Sequence, residues 1–298
     1  MTVMRLPVFF SPRMVARPDT FSPSAAKPAQ VVASWRDLPI ELHEPAPVTA
    51  DQLARAHARR FVDDILACRA TNGFGDRSPE VAASLPYTSG AMLAAARHAL
   101  AARTIACAPV SGFHHARHAA AAGFCTFNGL VVAACALHHE DGVQRVGIVD
   151  CDMHYGDGTV EILRRIDATW VDHFTAGERY TERADAAALL AILPERLRAM
   201  RDCDVVLYQA GADPHVDDPL GGMMTTDELL QRDELVFETL AALGVPVAWN
   251  LAGGYQREPD GSIPKVLAIH ANTARAAIRA LRPRLLPPPL PSRAAASS

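Results

Sequence analysis

Lysine is nearly absent from this 298-residue chain: Lys27 and Lys265 are the only two, and arginine supplies the rest of the basic charge. We read that bias as coding preference without chemical content. Basic excess is missing too. The formal net charge is −4, which removes the electrostatic case for a nucleic-acid partner or an anionic membrane surface. No run approaches the roughly 18 to 20 apolar residues a membrane span needs. The opening "MTVMRLPVFFSPRMVARPD" carries only a short apolar stretch, interrupted by Pro7 and Pro12, and does not read as a secretory leader. Paired cysteine spacing is lacking as well. Cys68, Cys107, Cys125, Cys135, Cys151 and Cys203 are scattered with no C-x-x-C, which argues against a disulfide framework or a thiolate zinc site and fits a reducing compartment. These absences predict a soluble, cytoplasmic protein without internal repeats.

What remains is ordinary globular composition, 49% hydrophobic and 21% charged, enough for one large α/β domain or two small ones. After an irregular, proline-rich opening, "TADQLARAHARRFVDDILACRA" predicts one helix, with Thr49 and Gln52 as a capping box. "SGAMLAAARHALAA" predicts a second. Five short apolar segments rich in β-branched residues then follow: "TIACAPV", "RVGIVDCD", "ATWVDHF", "DVVLYQAGAD" and "VPVAWNLAGGY". Segments of helical pattern separate them. That alternation predicts a three-layer α/β/α fold with a mostly parallel central sheet. No strong boundary interrupts residues 1–281, which we read as a single domain. The Pro/Ala/Ser-rich segment 282–298 reads as an appendage without regular structure.

Ligands of such sheets bind outside the carboxyl ends of the strands, and the polar clusters of this chain fall there. "GFHHA" follows the first of the five strands, "DCDMHYGDG" the second, "GADPHVDD" the fourth and "GGY" the fifth. Asp150, Asp152 and His154 alternate, so an extended backbone would place them on one face, with Cys151 and Met153 on the other. Aspartate with histidine is a common ligand set for Zn²⁺ and related ions. A catalytic site wants three protein ligands and an open position; two from this segment need one more, and Asp213 is well placed. The adjacent His114 and His115 share the rim with more carboxylates than a metal needs, so Asp150 and Asp157 could each orient one imidazole. The other adjacent pair, His138 and His139, sits where a helix ends, and a solvated cap explains it.

The segments "SGFHHARHAAAAGFCTFN", "IVDCDMHYGDGT", "AGADPHVDDPLGG" and "LAGGYQRE", in this order and spacing over roughly residues 80 to 275, resemble the zinc-dependent histone deacetylase family of the arginase/deacetylase fold. "GFHHA", "RDELVF" and "GGYQR" are closest to its class IV branch. The resemblance implies Asp152, His154 and Asp213 as ligands of one zinc ion per chain. It further implies His114 and His115 as paired catalytic histidines oriented by Asp150 and Asp157, Tyr255 as donor to the substrate carbonyl, and Gly123 with Phe124 as the tunnel wall. A structural monovalent cation such as K⁺ is implied beside the strand carrying Asp150. The expected activity is hydrolysis of N6-acyl-lysine, acetyl or longer, in a protein or peptide, with small acylated amines such as acetylpolyamines as the alternative substrate. Tyr155 stands where many members have a second histidine. A binuclear manganese ureohydrolase of the same fold needs a carboxylate where Gly156 stands, and a silent acyl-lysine-binding scaffold would have lost some of these residues.

Overall fold

The computed structural model describes residues 4–281; the segment 282–298 lies outside the described residues. In chain order the elements are β1 (Leu6–Phe9), α1 (Lys27–Ser34), β2 (Ile40–His43), α2 (Ala50–Leu53), α3 (Arg59–Leu66), α4 (Pro79–Ala102), β3 (Ile105–Ala108) and α5 (Gly129–Asp141). There follow β4 (Val146–Asp150), α6 (Asp157–Arg165), β5 (Val171–Thr175), α7 (Ala186–Ala199), β6 (Val205–Gly211), α8 (Thr226–Leu243), β7 (Val247–Ala252) and α9 (Pro264–Ala280). The strands form one seven-stranded sheet in the order β2-β1-β3-β7-β6-β4-β5. Every pairing in it is parallel.

Period-two alternation divides the core into two layers. Val205 and Leu207 of β6 join α3, α4 and α5 on one face of the sheet. Val206, Tyr208 and Ala210 join α1, α7, α8 and α9 on the other. With both faces covered, the central strands are continuous buried runs, as parallel sheets require. β3 and β4 are separated by two positions that β7 and β6 later fill. That reversal is the switch point at which open α/β sheets bind ligands. The four strands bearing the polar clusters are therefore contiguous at the middle of the sheet.

Three expectations are corrected. The opening is not irregular: β1 and β2 pair with each other, and β1 also pairs with β3. Pro7 inside a four-residue strand hides it, because proline removes a ladder donor and argues against a strand. The helix expected over 49–70 breaks into α2 and α3. Its capping box is present, with Gln52 N–H on Thr49 Oγ1 at 3.1 Å, but the Ala58 N–H leaves the helical ladder, and it and the His57 side chain bond the loop of the histidine pair. Ala58 N–H donates to His118 O at 2.8 Å, and His57 Nδ1 meets Arg117 O at 2.9 Å. Conversely, α4 begins ten residues before Ser89 and runs through Pro86. Gly90 is required there, since a Cβ would lie 2.1 Å from Ala46 O.

Candidate active site

β4 ends at Asp150, and the backbone bends at once instead of staying extended. The cause is local. Asp150 Oδ1 accepts the Asp152 N–H at 3.1 Å, and Asp152 Oδ1 accepts the His154 N–H at 3.0 Å. Two successive aspartates thus capture the amide two residues on, a turn-forming habit of this side chain. The bend sends Asp150 toward the β3 loop and Asp152 with His154 toward β6. Cys151 and Met153 pack into separate apolar clusters.

Asp213 lies just past β6. Its Oδ2 is 3.0 Å from His154 Nδ1, which is also 3.1 Å from Asp152 Oδ1. One ligand atom from each of Asp152, His154 and Asp213 lies within 4.8 Å of the others. Both carboxylates are buried, and His154 keeps 35% of its side chain exposed toward the mouth. Burial and the charge of Asp152 push Asp213 up to about 7, while the two carboxylates raise His154 to about 10. Two buried carboxylates facing one another are costly without a cation between them. The three residues fit a divalent ion with carboxylate and imidazole ligands. Gly253 is needed for the approach: its φ is +50°, and a Cβ would stand 2.1 Å from Asp213 Oδ1.

His114 and His115 occupy the loop after β3, their ring centroids 4.1 Å apart. His114 Nδ1 meets Asp150 Oδ2 at 2.7 Å, and His115 Nδ1 meets Asp157 Oδ1 at 2.8 Å. The two environments differ. Burial opposes a charge on His114, but Asp150, Asp152 and Asp213 outweigh it and raise the imidazole to about 9. At His115 burial and the neighbouring His114 prevail over Asp157, and the pKa is lowered. His115 is 25% exposed and lines a cavity of about 480 Å³ with Met153, His154, Asp157 and Leu220. Its ring lies against Gly123, whose φ is +52° and where a Cβ would come 2.4 Å from His115 Cδ2. Phe124 follows, its ring 5.6 Å from Tyr255 and 5.3 Å from the exposed Phe21. Tyr255 is fixed through its backbone, the N–H donating to Asp218 Oδ2 at 2.7 Å. Burial, then Asp213 and Asp152, raise the phenol pKa, so it stays protonated.

Each site residue picked out in the sequence thus reaches one end of the sheet. His138 and His139 stay apart from it in the last turn of α5; His138 stacks on Trp170 at 4.3 Å instead of standing in solvent. Several supporting groups carry no local signature. Gln209 is buried in β6 and joins both sides of the first histidine pair. Its Nε2 donates to Asp150 Oδ1 at 3.0 Å and its Oε1 accepts the Phe113 N–H at 3.0 Å. Arg232, fully buried in α8, ties the ends of β4 and β6 by donating to Cys151 O at 3.0 Å and Gly211 O at 2.7 Å. Arg117 shares Asp157 with His115. Lys27 is buried beneath the Tyr255 loop and donates to Gly253 O; burial lowers it to about 8 against the pull of Asp213, Asp152 and Asp218. Its rarity was the available signal, one of only two lysines in a chain that otherwise uses arginine.

The model of the histone deacetylase domain matches residues 24–172, half of the chain. The chain belongs to the histone deacetylase family. Among curated histone deacetylase relatives, the polyamine deacetylase of Homo sapiens is 31% identical over 49% of this chain and 26% of its own length. An acetylpolyamine amidohydrolase of Burkholderia pseudomallei is 30% identical over 49% of each chain. An uncharacterized protein of Picosynechococcus is 33% identical over 51% of this chain and 57% of its own. This chain thus spans between about a quarter and somewhat over half of these relatives' own length. In fold, it is similar to the solved acetylpolyamine aminohydrolase of Burkholderia pseudomallei, with TM-score 0.71 and 22% identity over 93% of this chain and all of that one. The HD domain of HDA15 gives TM-score 0.74 at 20% identity over 91% and 90%. The histone deacetylase fold expected from the sequence is the one observed.

Proposed function

We propose that the described chain is one catalytic unit, a zinc-dependent amidohydrolase that removes acyl groups from N6-acyl-lysine side chains. The observation that carries this reading is the pair of adjacent histidines, each on its own carboxylate at 2.7 and 2.8 Å, beside an Asp-His-Asp cluster. Asp152, His154 and Asp213 would hold one zinc ion. Zinc bound there supplies Lewis-acid polarisation of the acyl carbonyl and lowers the pKa of water to about 7. His115 Nε2 takes the proton of the attacking water, since Nδ1 is committed to Asp157, and later returns it to the leaving amine. His114, tied to Asp150, holds its proton and contributes positive charge beside the reacting carbonyl. The Tyr255 phenol donates to the developing oxyanion, a contact whose loss typically costs about 2.7 to 4 kcal/mol in the barrier. Gly123 and Phe124 form the wall along which the acyl-lysine stem passes. A potassium ion beside the β4 terminus would be structural.

Deacetylation of small acylated amines is the second reading. It is favoured by the relatives named for polyamine substrates. We infer that the acyl end enters a cavity of about 50 Å³ whose lining includes Phe113, Phe124 and Cys125. That volume suits acetyl, and a long acyl chain would have to enlarge it. The test is a hydrolysis panel on one peptide bearing acetyl-, butyryl-, octanoyl- or myristoyl-lysine, run beside acetylated polyamines with zinc loaded. Acetyl-lysine turnover ahead of polyamine is expected. Faster polyamine hydrolysis would establish the second reading, and no turnover of any of them would sink both. Two manganese ions per chain would instead indicate a ureohydrolase.

A further inference from the structure

Beside the mouth of the site lies a second cavity, of about 260 Å³, between α6, β5 and α7. Tyr155 borders both cavities. Three guanidiniums line this one, from Arg164 on α6, Arg179 after β5 and Arg196 on α7, against a single carboxylate, Glu178. Several other surface arginines meet acids: Arg117 with Asp157, Arg145 with Asp172, Arg183 with Glu228, Arg279 with Glu234. Among the described residues Arg164, Arg179 and Arg196 have no carboxylate within ion-pair distance. Arg196 instead lies over the Phe174 ring, 5.9 Å from its centroid. These three side chains come from three separate elements, so no helical spacing explains their convergence.

A second observation points the same way. His173, on β5, lines this cavity, and its Nε2 is buried with no hydrogen-bond partner. An unsatisfied buried polar atom costs about 1 to 3 kcal/mol, and native structures leave few of them. The neutral His173 ring thus adds a polar side chain to the wall that the arginines line. Planar guanidiniums bind carboxylate and phosphate oxygens two at a time. Three of them around one polar cavity exceed what a single carboxylate needs and match a tetrahedral oxyanion.

We propose that this cavity is a binding site for a phosphate group, held by Arg164, Arg179 and Arg196 beside the His173 ring. The group sits one residue, Tyr155, away from the acyl-amide cavity. It therefore belongs either to a free phosphorylated metabolite or to a phosphorylated side chain flanking the acylated one.

Calorimetric titration of the zinc-loaded protein with inorganic phosphate tests the site without reference to turnover. Saturable binding is expected, weakening at least ten-fold in Arg164→Gln/Arg196→Gln and weakening as salt is raised. Arg198→Gln, on the same helix but outside the cavity, should bind as the wild type does. Phosphate binding unchanged in the double variant, or no saturable binding to the folded wild type, overturns the proposal. Circular dichroism melts of the double variant within a few degrees of wild type exclude misfolding as the cause of a loss. The source is separated in a second arm, with matched acyl-lysine peptides carrying serine or phosphoserine on either side. A KM reduced at least ten-fold only for the phosphopeptide, and only with the arginines present, assigns the group to the substrate. Equal KM values for the two peptides, with phosphate still bound, assign it to a free ligand. Failure of all hydrolysis with phosphate binding intact would count against the proposed activity and leave this site standing.

Discussion

Asp152 and Asp213 carry the same functional group two bonds from the backbone, yet their environments move them apart. Asp152 is held below the usual carboxylate range by His114 and His154 despite burial, while Asp213 is pushed up to about 7 by burial and Asp152. One cation between them would relieve both. Asp213→Ala should reduce bound zinc from one equivalent to a small fraction, read by metal analysis after dialysis. Retention of a full equivalent would remove Asp213 from the ligand set. His115→Ala should keep its zinc and lose roughly 10² to 10⁴ in kcat; near-normal turnover would move the proton transfer to another group. The acid limb of kcat/KM follows from the same residue. His115 is lowered from 6.5, so its base form persists to lower pH, and activity should rise through a midpoint below 6.5. A midpoint above 6.5 would mean that a different base controls the rate.

Elements, by contrast, were legible where periodicity is long and hidden where it is short. The helices α7 and α8 and the strands β3 to β7 follow directly from their apolar spacing. The break between α2 and α3 does not, because its cause lies sixty residues away. His57 is fully buried there; its Nδ1 meets Arg117 O and its Nε2 accepts the Asn128 N–H, both at 2.9 Å. This places α5 and the histidine loop on one support. Burial lowers His57 to about 4. Because its folded pKa lies below the unfolded value near 6.5, the unfolded chain takes up a proton that the fold refuses. Its contribution is thus complete above pH 6.5 and declines as pH falls toward 4, by up to about 3 kcal/mol. Melting temperatures at pH 7 and 4.5 should therefore differ by less in His57→Gln than in the wild type. An equal difference in both proteins would show that His57 does not titrate on unfolding.

At the scale of the whole molecule, the sheet extends beyond the five strands that the sequence announces. β1 and β2 cover the edge of β3, and between them Leu6, Val8, Val31 and Trp35 are fully buried. A chain beginning at residue 44 keeps every named site residue except the support of Lys27. It should still fail to give a cooperative melt, since it exposes a strand edge and a strip of apolar core. A melt within a few degrees of the full chain would show the edge to be dispensable. The sequence alone determined the parallel α/β class and the rim of polar strand ends, through local periodicity. It also offered Asp152, His154 and Asp213 as a possible ligand set there, whereas Tyr255, Gly123 and Phe124 came only from the family resemblance. Tertiary structure realised the pairing of Asp150 with His114 and Asp157 with His115 that the family resemblance implied, through a bend after Asp150 in place of the extended strand that alternation implies. It also decided the roles of Lys27, Gln209 and Arg232. Each is buried far along the chain from the group it supports, and a polar side chain reveals its partner only when the fold removes water from both.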